Sequence, residues 1–235
     1  MLQTIAIALW TVFVTVIFSY LSILLSLVGT SGNLSHLSAR LWGRSILAAS
    51  GIRVRVTGME RIDPAKSYIF MSNHQSNFDI PVLLAYLKVQ FRWLAKEELF
   101  KIPFFGYAMQ RVGYISINRS DRRSAFLSLK RAAQIIRGGV SVLIFPEGTR
   151  SLDGQIRPFK KGGFILALDA GVPIVPVVIR GTRSIMPKEH LRIRPGRVSL
   201  KILAPIDTTA YTRKSKEDLI AAVRRAICEG FYGKG

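Results

Sequence analysis

His74 and Asp79, in the stretch Asn73-His74-Gln75-Ser76-Asn77-Phe78-Asp79, are a pair whose types and spacing could move a proton. A neutral imidazole with one ring nitrogen held by a carboxylate presents its other nitrogen as an acceptor, which is what a general base needs to take a proton from an alcohol. The apolar run Ser67–Met71 before the pair is of strand type, and residues 78–87 after it carry apolar side chains at helical spacing. The histidine therefore belongs to a strand-to-helix turn. Ser76 and Asp79 also match a helix N-cap and its capping-box partner, so the same residues read equally as a simple helix start.

Three further constellations sit where strands should end. Phe91-Arg92-Trp93-Leu94-Ala95-Lys96 closes on a lysine, and Ile115-Ser116-Ile117-Asn118-Arg119 on an arginine. Phe145-Pro146-Glu147-Gly148-Thr149-Arg150-Ser151 follows the apolar run 140–145. Ligands of open α/β sheets bind beyond the carboxyl ends of the strands. If these strands are parallel neighbours, Lys96, Arg119 and Arg150 converge with His74 into a phosphate pocket beside a base. Taken singly, each reads as a solvated surface charge. Gly148 allows close backbone approach, and Arg150 can hold a phosphate through two parallel hydrogen bonds. Glu147 has two readings, partner of an arginine or acceptor for a substrate hydroxyl. Lys160 and Lys161, ahead of the next helical pattern, could add to the same positive field or remain solvated.

The elements that must position these groups alternate along the chain. Strand patterns at 52–56, 67–71, 91–95, 114–117, 140–145, 174–179 and 198–203 are interleaved with helical ones at 77–87, 121–137, 162–170 and 214–229. This predicts an α/β domain with a largely parallel sheet flanked by helices. The nearly continuous apolar runs at 140–145 and 174–179 fit strands covered on both faces.

Residues 1–39 contain no Asp, Glu, Lys or Arg. A helix over 2–28 would be about 40 Å long, enough to span a bilayer with tilt or to lie partly in its interface. Thr4, Thr11, Thr15, Ser19, Ser22 and Ser26 recur on one face of that helix, a face expected to pack against protein. Residues 29–33 break it. A second helix at 34–49 spaces His36, Arg40 and Arg44 four apart, as a basic face at the level of anionic headgroups. The expected organisation is a membrane-embedded two-helix motif at 1–50 and an α/β domain at 51–235.

With 34 Lys and Arg against 14 Asp and Glu, the formal charge is +20. Such a field attracts nucleic acid, an anionic membrane surface or a phosphorylated small molecule. No recognised nucleic-acid motif is present, so nucleic acid is not an expected partner. The single cysteine, Cys228, excludes an intrachain disulfide and a cysteine-rich zinc site. Arg40, Arg44, Arg53 and Arg55 directly after the apolar stretch put the globular part on the cytoplasmic side of an inner membrane.

His74-x4-Asp79, Gly113 through Arg119, Phe145 through Ser151 and Val172 through Val177, in this order, resemble the four sequence blocks of the glycerolipid acyltransferases. The resemblance is closest to the 1-acyl-sn-glycerol-3-phosphate acyltransferases of bacterial type, over residues 50 to 205. It implies transfer of a fatty acyl group from acyl-CoA or acyl carrier protein to the sn-2 hydroxyl of lysophosphatidic acid, giving phosphatidic acid. His74 becomes the general base and Asp79 its orienting partner. Lys96, Arg119, Glu147, Gly148 and Arg150 serve the acceptor. Neither metal nor cofactor is implied, the thioester donor being a substrate. With no Gly-x-Ser-x-Gly elbow and Cys228 far along the chain, direct attack is expected rather than an acyl-enzyme. Ser116 and Asn118 depart from the second block, which leaves another lysolipid or glycerol 3-phosphate as the alternative acceptor. A non-catalytic binder of anionic lipid or nucleic acid is the remote alternative.

Overall fold

Period-two alternation along the strands sorts the core into two layers. In the computed structural model, which describes residues 1–29, 31–118 and 121–233, the chain runs α1 (Leu2–Val28), α2 (Asn33–Ala49), β1 (Ile52–Thr57), β2 (Ile69–Ser72), α3 (Asp79–Tyr86), β3 (Phe91–Lys96), α4 (Glu97–Phe100) and α5 (Phe105–Val112). It continues β4 (Ile115–Ile117), α6 (Arg122–Arg137), β5 (Ser141–Ile144), α7 (Gly162–Ala170), β6 (Ile174–Arg180), α8 (Thr182–Ile185), β7 (Gly196–Ile202) and α9 (Lys216–Tyr232). Phe70, Leu143, Val175 and Val177 pack on the layer built from α1, α2, α3 and α5. Their strand neighbours Ile69, Met71, Val142 and Ile144 pack on the layer of α6, α7 and α9. The central strands β2, β5 and β6 thus feed both cores, as strands covered on both faces require.

The sheet has seven strands in the order β1-β7-β6-β2-β5-β3-β4. β6, β2, β5, β3 and β4 are mutually parallel, so their carboxyl ends share one edge. β7 runs antiparallel to β6, and β1 pairs parallel with β7, so these two point the other way. The connections leaving β2 and β5 depart toward opposite sides of that pair, which opens a crevice at their carboxyl ends.

On α1 the hydroxyl residues face protein. Ser19, Ser22 and Ser26 are buried, the Ser22 and Ser38 hydroxyls are hydrogen-bonded, and Thr15 Oγ1 accepts from Trp42 Nε1 at 2.9 Å. Both ends of the helix touch the α/β layers: Thr4 Oγ1 accepts from the Ile193 amide at 3.2 Å, and Ser26 Oγ accepts from Arg111 Nε at 2.8 Å. The opposite face, with Ile5, Leu9, Val16, Tyr20 and Leu24, is exposed.

The basic face expected on α2 loses one member. His36 is wholly buried, edge-on to Phe91 with ring centroids 4.7 Å apart and with Nδ1 3.3 Å from the Tyr114 hydroxyl. The helix turns that flank inward, against Phe91 and Tyr114, and of the three only Arg40 and Arg44 retain contact with solvent. Gly43 sets how closely α2 approaches α3: a Cβ there would lie 2.8 Å from the Pro81 carbonyl oxygen. α3 begins at Asp79, later than the expected 77. The short helices α4, α5 and α8 were not among the expected elements.

Candidate active site

β2 is buried at all four positions, and the chain leaves it straight into the histidine turn. Asn73 fixes the exit. Its side chain donates to the Ile179 carbonyl at 2.9 Å and accepts from the Ile179 amide at 2.8 Å, extending the pairing of β2 with β6 by one residue. Asp79, fully buried at the start of α3, lies with Oδ2 2.8 Å from His74 Nδ1. The same oxygen accepts from the Gln75 amide at 2.7 Å and the Ser76 amide at 2.9 Å. The expected capping box is realised only in the half that runs from the Ser76 amide to Asp79: α3 starts at Asp79 after Phe78 with no side-chain cap, and the Ser76 hydroxyl is turned to the Met186 carbonyl, so the carboxylate serves the histidine turn instead. With Nδ1 engaged, Nε2 is the ring nitrogen left to take a proton. The ring is further held by stacking on Phe145, centroids 3.9 Å apart and planes 8° from parallel.

The segment after β5 grips this turn from the side. Glu147 Oε1 accepts from the His74 amide at 2.8 Å and Oε2 from the Arg157 amide at 2.9 Å, while the Ser151 amide donates to the His74 carbonyl at 2.9 Å. Among the described residues no arginine side chain is paired with Glu147; each of its carboxylate oxygens accepts from a main-chain amide. Burial pushes its carboxyl above the ordinary range, and the two amide hydrogen bonds oppose that. Gly148 has φ +74°, a left-handed conformation, and a Cβ there would come 2.8 Å from Lys160 Cε.

His74 lines a cavity of about 760 Å³. Phe18 of α1, Trp42 of α2, Leu84 of α3 and Met109 and Val112 of α5 give it apolar walls. Lys96, Thr149, Arg150 and Lys188 line its polar, solvent-reached part. The structure thus brings together Lys96, Gly148 and Arg150 with His74, and Asp79 and Glu147 stand behind the turn. Arg119 lies outside the described residues. Lys161 is paired with Glu217 at 2.7 Å, away from the cavity lining. Sequence reasoning missed Lys188 and the α5 wall. For α5 a signal existed, since Phe105, Ala108, Met109 and Val112 recur at helical spacing. Among the described residues no cluster of three or more His, Cys, Asp or Glu could hold a metal ion.

A profile of the acyltransferase family matches residues 53–180, a span that holds every residue of the histidine turn and the Glu147 segment. This chain belongs to the acyltransferase family. Among relatives, it is 37% identical over 197 residues to a 1-acyl-sn-glycerol-3-phosphate acyltransferase of Chlamydomonas reinhardtii, covering 82% of this chain and 57% of that protein. It is 34% identical over 182 residues to the human 1-acyl-sn-glycerol-3-phosphate acyltransferase alpha, covering 77% and 64%. A chloroplastic relative in Brassica napus, named for the same activity, is matched over 44% of its length, so the chain spans roughly half of several relatives. The crystal structure of the 1-acyl-sn-glycerophosphate (LPA) acyltransferase PlsC from Thermotoga maritima superposes with a TM-score of 0.85 at 30% identity, over 97% of this chain and 93% of that one.

Proposed function

We propose that the chain transfers a fatty acyl group from a thioester, acyl-CoA or acyl carrier protein, to the sn-2 hydroxyl of 1-acylglycerol 3-phosphate, giving phosphatidic acid. The observation that carries this is one cavity joining a carboxylate-held histidine to apolar walls and cationic side chains. His74 takes the hydroxyl proton through Nε2 as the oxygen attacks the thioester carbonyl, and the departing thiolate recovers a proton. Asp79 keeps Nδ1 protonated and balances the imidazolium. Lys96 and Arg150, with Arg119 by its place in the second sequence block, hold the acceptor phosphate. The names of the relatives favour this acceptor over another lysolipid or glycerol 3-phosphate.

In this reading residues 1–50 form a membrane-embedded motif and the α/β domain sits on the cytoplasmic side of an anionic membrane. α1 is long and apolar enough to cross a bilayer. Its two ends, however, are both hydrogen-bonded to the α/β layers, which favours a helix lying in one leaflet along the domain. An acceptor panel of lysophosphatidic acid, other lysolipids and glycerol 3-phosphate, assayed with acyl-CoA and with acyl carrier protein donors in liposomes, tests the proposal. Preferred turnover of lysophosphatidic acid supports it, and a higher kcat/KM for any other acceptor overturns it.

A further inference from the structure

We propose that Lys188, on the turn after α8, is a further ligand for the acceptor phosphate. This rests on the acceptor reading given above. Lys188 lines the same cavity as His74, Lys96 and Arg150, although it lies far along the chain from all three. Its delivery there is built in. Ser76, a buried residue of the histidine turn, donates through Oγ to the Met186 carbonyl at 2.7 Å, which clamps the start of this turn to the catalytic one. Two residues later the Lys188 ammonium lies 3.4 Å from both Thr149 Oγ1 and the Arg150 carbonyl oxygen.

Those two contacts are long, and both go to neutral oxygens, so they orient the ammonium without neutralising it. Among the described residues Lys188, Lys96 and Arg150 form no ion pair. Glu147, the acidic residue of the adjoining segment, has both oxygens committed to main-chain amides. A phosphate monoester offers three terminal oxygens and close to two negative charges at neutral pH. Arg150 suits two of those oxygens through its planar fork, and a lysine on the same rim suits the third as a point charge.

The test separates the ammonium's charge from its bracing of residues 149–150. Lys188→Gln keeps a hydrogen-bond donor on a side chain one atom shorter but removes the charge, and Lys188→Arg keeps the charge. With the full chain in detergent or liposomes, Lys188→Gln should raise KM for lysophosphatidic acid about 10- to 100-fold. KM for the acyl donor and the melting temperature should stay put, and Lys188→Arg should recover most of the loss. Equilibrium binding of lysophosphatidic acid without donor should weaken in parallel. Arg150→Ala is the control. If it raises the acceptor KM while Lys188→Gln does not, the assignment of Lys188 fails and the acceptor reading stands. If neither does, the acceptor reading fails with it. A Lys188→Gln effect on donor KM alone, or equal effects on both substrates with a lower melting temperature, also overturns the proposal.

Discussion

One oxygen atom, Asp79 Oδ2, accepts from an imidazole and two main-chain amides of the turn, so shaping the histidine turn and orienting the base are a single task. Asp79→Asn sets an amide group among those donors. We expect it to reduce turnover by about 100- to 10,000-fold, the range of a lost proton-transfer role. His74→Ala should cost as much in initial rate and leave the melting temperature nearly unchanged, since the ring adds little to the core. Near wild-type rates in His74→Ala would end the base assignment. Glu147→Gln separates two roles. If its carboxylate holds the turn, the variant lowers kcat and destabilises the fold by about 1–3 kcal/mol through an unpaired donor, sparing the acceptor KM. A rise confined to acceptor KM would return Glu147 to the substrate. The histidine pair, Lys96 and Arg150 were legible because each ends or follows a strand that periodicity locates. The amide partners of Glu147 were not, because main-chain donors carry no sequence signature. Lys188 was hidden by a connection whose path only the tertiary fold reveals.

At the scale of elements, the approach of α2 to α3 depends on Gly43. Gly43→Ala places a methyl group 2.8 Å from the Pro81 carbonyl oxygen, a backbone atom that cannot swing aside. We expect a lowered melting temperature together with lost activity, because α3 carries Asp79 and both helices wall the cavity. Retention of both would show that the helices part without consequence. His36 gives a pH dependence. Burial, followed by the charges of Arg92 and Arg40, lowers its pKa to about 3. An unfolded histidine takes up a proton near pH 6.5, so between there and about 3 the unfolded chain binds more protons and stability falls as pH falls. His36→Gln should lose less melting temperature than the parent between pH 7.5 and 4.5, and parallel losses in the two proteins would refute this. All seven strands were readable from alternation and apolar runs. The largely parallel arrangement was legible as well, from the alternation of strands with helices, but the antiparallel return of β7 was not, since a period-two pattern is the same read either way. In α5, Pro103 and Gly106 at its start masked a helical spacing that its cavity-facing residues nevertheless carry.

Across the whole molecule, α1 and α2 are walls of the cavity as well as its support, through residues such as Thr15, Phe18, Ala39 and Trp42. Deleting residues 1–49 should leave a domain that aggregates or leaves the membrane, and that acylates a dispersed short-chain acceptor better than lysophosphatidic acid in liposomes. A truncated protein that stayed folded and fully active on liposomes would reduce the segment to a tether. A tag on Met1 should be inaccessible from the far side of sealed vesicles, and labelling there would mean that α1 crosses. The hydroxyl face of α1 carries one more consequence, for how the helix tolerates change. Thr4, Thr15, Ser22 and Ser26 each meet a fixed partner at a fixed angle around the axis. Inserting one residue before Thr11 would turn everything downstream by about 100°, carrying Ser19, Ser22 and Ser26 off their protein partners and Leu24 toward the protein. Inserting seven would restore the angle to within about 20° yet slide the partners past each other by about 10 Å. The exposed apolar side chains of α1 should thus exchange freely among apolar types, while insertions and deletions in the helix should not be tolerated.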